Sequence, residues 1–330
     1  MKLYFPKYYK EFRCIAAACP DSCCKEWTVD VDEQAAARYR KLPGALGDRL
    51  RNVLKDTEDG TIMEIENGRC PMWQQDGLCR IQAELGHDAL CKTCRDFPRL
   101  RHDYGDFVEL GLELSCPEAA RLILSGDSAI DSDVTAGGDA PEYDVEVMEI
   151  LTASRKEALT LLDDSQFTLA EKLAIILLRA HDIQAQIDGG EPIPFAPDAL
   201  LDESKSYVTD GNLAGVIDFF QGLEILTDRW KTLLQQGARN RLADNSAPLA
   251  KYLIGRYWLQ AVSDWDLVCR VKLVVTACVL VSALEGKFAQ NAQLFSKEIE
   301  NDLDNVEALL NGAYTSPALT DTNLFSILLG

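Results

Sequence analysis

Eleven cysteines stand in this 330-residue chain, and nine fall before residue 117: Cys14, Cys19, Cys23, Cys24, Cys70, Cys79, Cys91, Cys94 and Cys116. Their neighbours are turn formers rather than packing residues. Pro20, Asp21 and Ser22 fill the gap in Cys19-x3-Cys23-Cys24, Pro71 follows Cys70, Gly77 comes shortly before Cys79, and Pro117 follows Cys116. Cys91-x2-Cys94 has the spacing at which two thiolates reach one ion from a single turn. Thiolates are soft ligands, suited to zinc and to iron–sulfur clusters. Residues 1–116 are therefore expected to build a cysteine-ligated metal centre. Such sites usually take four ligands, so nine cysteines allow two sites with one thiol over, or one site with several thiols unbound. A zinc staple without chemistry is the plain form of the same reading. Cys269 and Cys278, in DLVCRVKLVVTACVLVSAL, read instead as small hydrophobes of a buried helix.

Other chemistry-bearing residues crowd the same region. Arg95, Arg99 and Arg101 follow Cys94 and are read as charge compensation for a net-negative thiolate centre, with a donor carboxylate as the alternative partner. Trp27 and Trp73 flank cysteines, where they either shield the centre from water or simply pack. Tyr104, Glu109 and Glu113 are candidate proton acceptors if they face the centre; the preferred reading is a solvated polar face opposite Val108, Leu110, Leu112 and Leu114. Among the histidines, His87 lies between cysteines and is a weak candidate ligand, His102 is a weak candidate, and His181 reads as an ordinary helix residue. No Gly-rich dinucleotide or phosphate loop and no Ser/His/Asp triad is present.

These residues need elements to hold them. Residues 33–56 read as two short helices broken at Pro43-Gly44, Thr61–Glu66 as a short strand, and Ala83–Leu90 as a short helix or turn. Leu100–Tyr104 and Asp106–Leu114 read as a hairpin around Gly105, and Glu118–Leu124 as a helix opened by Pro117. Residues 125–144, small and acidic with no positive charge, read as a linker. Beyond it the pattern is helical: Val145–Leu162, then Leu169–Ile187 behind a Thr168/Glu171 capping box, a Pro/Gly-rich loop over 188–204, and helices near 213–223, 225–236, 247–262, 266–285 and 294–312. The expected fold class is α+β and predominantly helical: a small cysteine-rich domain with short strands over 1–124, a linker over 125–144, and an all-α bundle over 145–330.

Charge separates the same two regions. Lys and Arg number 18 against 21 Asp and Glu before residue 125, and 15 against 32 after it, within a net charge of −20. A surface this acidic repels phosphate backbones and argues against nucleic acid as a partner. Its plain meaning is solubility; docking of a basic or lysine-bearing protein is the alternative. The N-terminus lacks the apolar stretch of a signal peptide, and the longest apolar run, Leu273–Leu284, is too short to span a bilayer. A cytoplasmic protein away from membranes is expected, in a compartment where structural disulfides are rare. Nothing in the pattern reports oligomeric state.

The segments LYFPKYYKEFRCIAAACPDSCCKEWTVDVD, RCPMWQQDGLCRIQAELGHDALCKTCRDFPR and LELSCPEAARLIL resemble the flagellin lysine-N-methylase (FliB-like) family. The shorter core CPMWxxxGLCRIQ…CRDFP also resembles small zinc- or iron-chelating cysteine proteins. The first resemblance covers most of residues 3–124 and implies methylation of flagellin lysine ε-amines. It further implies S-adenosylmethionine as donor and a cysteine-bound iron–sulfur cluster of the four-iron type. By position it implies Cys14, Cys19, Cys23, Cys24, Cys70, Cys79, Cys94 and Cys116 as ligands, with Cys91 the ninth thiol, because that position is often a small residue in the family. The chain departs from the radical-donor pattern Cys-x3-Cys-x2-Cys: Cys19-x3-Cys23 begins it, but position 26 is Glu26. Two other functions compete, a non-catalytic zinc- or iron-binding interaction module and a cytosolic redox protein.

Overall fold

A computed structural model describes residues 1–330 except 26, 239–241 and 243–245. The first part runs β1 (Lys2–Pro6), α1 (Tyr8–Glu11), β2 (Val29–Val31), α2 (Glu33–Lys41), α3 (Gly44–Val53), β3 (Leu54–Thr57), β4 (Gly60–Met63), α4 (Arg80–Leu85), α5 (Lys92–Asp96), β5 (Arg99–Asp103), β6 (Phe107–Leu112), α6 (Pro117–Ser125) and β7 (Ile130–Val134). Local chemistry explains the helix boundaries. Asp32 caps α2 by accepting from the Ala35 amide at 2.9 Å. Between α2 and α3, Pro43 is extended and Gly44 sits at φ +77°, a conformation that favours glycine.

Two sheets result. One has the order β2-β4-β3. The other has the order β5-β6-β1-β7, with β1 parallel to β6 and antiparallel to β7. The second part is helical: α7 (Val145–Asp163), α8 (Leu169–Ile187), α9 (Pro197–Ser206), α10 (Leu213–Gln221), α11 (Asp228–Gln236), α12 (Ala247–Tyr257), α13 (Val268–Ala283), α14 (Phe288–Phe295), α15 (Leu303–Thr315) and α16 (Asp321–Leu329). Every residue of α13 is buried, which makes it the central helix of the bundle. Its two charges are paired: Lys272 with Asp321 at 3.2 Å, and Arg270 with Asp264 at 2.8 Å. No helix among the described residues is long and apolar enough to cross a membrane.

The fold class is the expected one, α+β and predominantly helical. Two hydrophobic cores lie at different places from those the charge division implied. One, around Val29, Tyr39, Leu50, Met63, Met72 and Cys91, belongs wholly to residues 24–94. The other joins Tyr8, Phe12, Leu112, Leu114 and α6 to the helical bundle. The β5-β6-β1-β7 sheet therefore packs with the bundle.

Several elements differ from expectation. The stretch 125–144 contains a strand, β7, whose residues IDSDV are all exposed, so it carries no apolar alternation. The 188–204 loop closes into α9 behind Pro197, which occupies the first helical turn where proline is tolerated. The helix expected over 294–312 is interrupted by a π-helical turn, Ser296–Glu300.

Candidate thiol site and adjoining cavity

Six cysteines meet at this core, all within residues 23–94. Cys23, Cys24, Cys70, Cys79, Cys91 and Cys94 line a cavity of about 20 Å³, whose remaining walls are Val29, Tyr39, Met63, Met72, Ile81 and Leu90. Each thiol is placed by a short backbone device. The Cys24 carbonyl accepts from the Cys70 amide at 2.7 Å, which ties the 19–24 turn to the 70–79 loop. Cys79 and Cys91 are the N-cap residues of α4 and α5, and Cys94 lies one turn into α5. Cys70 is buried against Met63, sulfur to sulfur at 3.7 Å.

The thiols bond to one another. Cys24 holds its proton, driven above the usual thiol range by bonds to Cys23, Cys70 and Cys79. Those bonds lower the same three partners, Cys79 to about 6, with the Ile81 and Gln82 amides at the start of α4 assisting. Cys94 is likewise raised by its bond to Cys91, and Cys91 is lowered. Within the group, Cys24 and Cys94 are thus shifted up and Cys23, Cys70, Cys79 and Cys91 down. Among the described residues, no three His, Cys, Asp or Glu side chains are arranged around a single ion position.

Cys14, Cys19 and Cys116 are not part of this lining. They interact with one another: burial raises Cys116 to about 11 and raises Cys19, with mutual repulsion contributing to both. Beside them the π-helical turn delivers a buried lysine. Lys297 is 2% exposed, lies 3.2 Å from Asp21 and 5.2 Å from the Trp27 ring, and so joins the bundle to the Cys19–Cys24 turn. Burial opposes the charge on Asp21, but Lys25 and Lys297 hold its carboxyl below the usual range.

The three arginines find other partners. Arg95 lies 3.5 Å from Asp96, Arg101 lies 2.6 Å from Asp103, and Arg99 stacks on Phe12. Trp27 packs against Phe97, and Arg69 lies over Trp73. His87 is exposed beside Asp88, and His181 lies 3.3 Å from Asp321. Glu26 lies outside the described residues.

A second, larger space opens between the β5-β6-β1 sheet and helices α7 and α12, with a volume of about 840 Å³. Glu109 and His102 of the hairpin line it. Contrary to expectation, Glu109 and Glu113 are largely buried rather than on a solvated face, because the bundle packs against the hairpin. Glu109 makes a two-pronged bond to Arg155 of α7, at 2.6 and 3.0 Å, with both side chains largely buried. His102 is the cross-strand partner of Glu109, and Tyr4 pairs with Glu109 from the other side. The three therefore share one face of the sheet. His102 Nε2 is buried with no hydrogen-bond partner, and burial together with Arg256 lowers its pKa, with Glu109 opposing. Tyr104 stacks on Phe107, and burial raises its pKa.

Glu113 lies 4.0 Å from Arg256 and is raised to about 7, chiefly by burial, with Arg256 opposing and Glu300 adding. Arg256 in turn belongs to a buried cluster. Its Nε lies 3.2 Å from Glu300, Tyr252 and Tyr257 donate to Glu300 at 3.2 and 3.0 Å, and Arg256 donates to Tyr252 at 2.8 Å. Tyr252 also accepts from the Leu114 amide at 3.3 Å. Residues 113–116 thus run from the cavity wall to the Cys116 thiol. Arg155, Tyr252, Arg256 and Lys297 carry no motif in the sequence. Their one signal is a charge or hydroxyl within a helix that packs into the bundle.

Comparison with known proteins returns relatives over part of the chain. The flagellar biosynthetic protein FliU of Salmonella muenchen is 32% identical over 138 residues, 38% of this chain and 78% of FliU. This chain belongs to the FliU and lysine-N-methylase family. The lysine-N-methylases of Salmonella typhimurium and Salmonella choleraesuis are 32% identical over 138 and 132 residues. In both cases the match spans 38% of this chain and 33% of the relative, so the chain aligns with about a third of each methylase. No family model matches the chain, and no solved structure matches it. The family resemblance read from the cysteine segments is the one these comparisons return.

Proposed function

We propose that this chain is a protein-lysine N-methyltransferase acting on flagellin, with S-adenosylmethionine as methyl donor and a cysteine-bound iron–sulfur cluster in residues 1–116. The observation that carries the reading is the similarity to two lysine-N-methylases and to FliU.

The six-thiol group supports the metal component. Its lining is sulfur and hydrocarbon apart from Tyr39, a donor set suited to a soft metal. Cys23, Cys24, Cys70, Cys79, Cys91 and Cys94 are the pool that would supply four ligands. Binding would displace the protons of the ligating thiols. A bound cluster would supply a cross-link for this small core and an electron-accepting centre. Cys14, Cys19 and Cys116 form the reserve set.

The chain's own residues account for the proton. A lysine amine must be neutral to attack a methyl group, and an unperturbed lysine at pH 7 is neutral only about one part in a thousand. His102, kept neutral by burial and facing the larger cavity, is placed to accept that proton, and Glu109 can steady the imidazolium that forms. The carboxylates of the cavity attract an ammonium group, and the apolar walls favour its uncharged form.

Two measurements test the reading. Flagellin co-expressed with this protein should carry methylated lysines by mass spectrometry, and unmodified flagellin beside abundant, folded protein would remove the methylase assignment. Anaerobically purified protein should be coloured and contain iron and sulfide. Stoichiometric zinc in colourless protein would remove the cluster and favour a zinc staple, a reading supported by the separate core that surrounds the thiols.

A further inference from the structure

Two glycines line the cavity of about 840 Å³ on opposite walls, Gly111 of β6 and the exposed Gly255 of α12. Neither is required by the backbone, because neither has a positive φ. Neither is required by packing. A Cβ added at Gly255 would meet nothing within 4 Å, and one added at Gly111 would touch only Leu100 at an ordinary 3.8 Å. Glycine nonetheless weakens both a helix and a strand interior. Two such positions on one cavity leave space that larger side chains would fill.

We propose that this cavity is the binding pocket for the methyl donor, S-adenosylmethionine, whose chemistry is a nucleoside joined through a sulfonium to an amino-acid zwitterion. The inference rests on the methylase reading above and adds the site. The volume lies in the range of small-molecule pockets and far exceeds the needs of one lysyl side chain. The walls are mainly apolar and include the aromatic side chains of Tyr4 and Phe107, a lining suited to a purine. Ion pairs supply both signs of charge to the walls. The Glu109–Arg155 pair lies on one wall, Arg256 is on α12, and Lys251 of α12 is paired with Asp163 of α7. The 113–116 segment then leads from this pocket toward the thiols.

The test is calorimetric binding of S-adenosylmethionine and of its unreactive product S-adenosylhomocysteine to the full metal-loaded chain and to Gly255→Leu. The variant is expected to bind about tenfold more weakly or worse, with metal content and melting temperature retained. Gly255→Ala serves as the second variant, since a helix tolerates alanine better than glycine. It should melt no lower than the parent and bind both ligands a few-fold more weakly. Parent affinity in both variants would overturn the pocket, as would absence of binding by the parent protein. The pocket and the methylase reading fail separately. Flagellin methylation with unchanged donor affinity in the variants leaves the enzyme and removes the site. Donor binding lost in the variants, beside a parent that leaves flagellin unmodified, keeps the site and removes the substrate.

Discussion

Cys24 is the hub of the thiol group, bonded to Cys23, Cys70 and Cys79 at once. Replacing it by serine should lower metal content per chain severalfold, measured by elemental analysis, because a hydroxyl is a harder and less acidic donor. Cys278→Ala is the control. That thiol is wholly buried in α13 away from the other sulfurs, so the change should leave metal content intact and cost about 1 kcal/mol of stability. Glu113 offers a pH signature. Its folded-state pKa, about 7, lies above the ordinary carboxyl value, so between about pH 4.5 and 7 the native state binds more protons than the unfolded chain. Stability therefore falls as pH rises through that window. Measured against Glu113→Gln in urea titrations, the parent should lose up to about 3 kcal/mol from pH 4 to pH 8 and be level on either side. A pH-independent difference would place Glu113 in a fully solvated setting.

At the level of elements, α8 was legible to the residue because its signals are local. Thr168 and Glu171 form the capping box, and the apolar stripe Leu173, Ile176, Leu177, Ala180 and Ile183 is buried. Thr168→Ala should cost about 1 kcal/mol by thermal denaturation, with no change in metal content. The break at Pro43-Gly44 and the β5–β6 hairpin were legible for the same reason. β1 was not, since its partners lie more than a hundred residues away and its pairing with β6 is parallel. β7 was not, because an exposed edge strand has no apolar rhythm. The gathering of the thiols was legible from their number and turn settings. Their division into six and three was not, because it depends on which backbone loops meet: the 24–70 bond joins one set, while the 113–116 segment carries Cys116 to the other. The cavity was hidden because half of its wall comes from bundle helices that carry no motif.

For the molecule as a whole, the Glu109–Arg155 pair is a clamp between the sheet and the bundle. Both side chains are less than one-fifth exposed, so removing one partner strands the other. Glu109→Ala and Arg155→Ala should each destabilise by about 2–4 kcal/mol, and the double variant by clearly less than their sum. Additive losses in chemical denaturation would mean that the two side chains do not act together. The Lys297–Asp21 contact, 3.2 Å long, is a second such link, from the π-helical turn to the cysteine-rich turn.

The parallel seating of β1 beside β6 also sets an order of events during synthesis. All six thiols and the core around them lie within residues 23–94, so every part of that unit leaves the ribosome before β6 exists. The sheet can close only after residue 107 has emerged, and its last strand only after residue 134. Short-range contacts form early and long loops close late. The sulfur-rich unit is therefore complete while the nascent chain is still open, and its thiols are accessible before the bundle covers its flank.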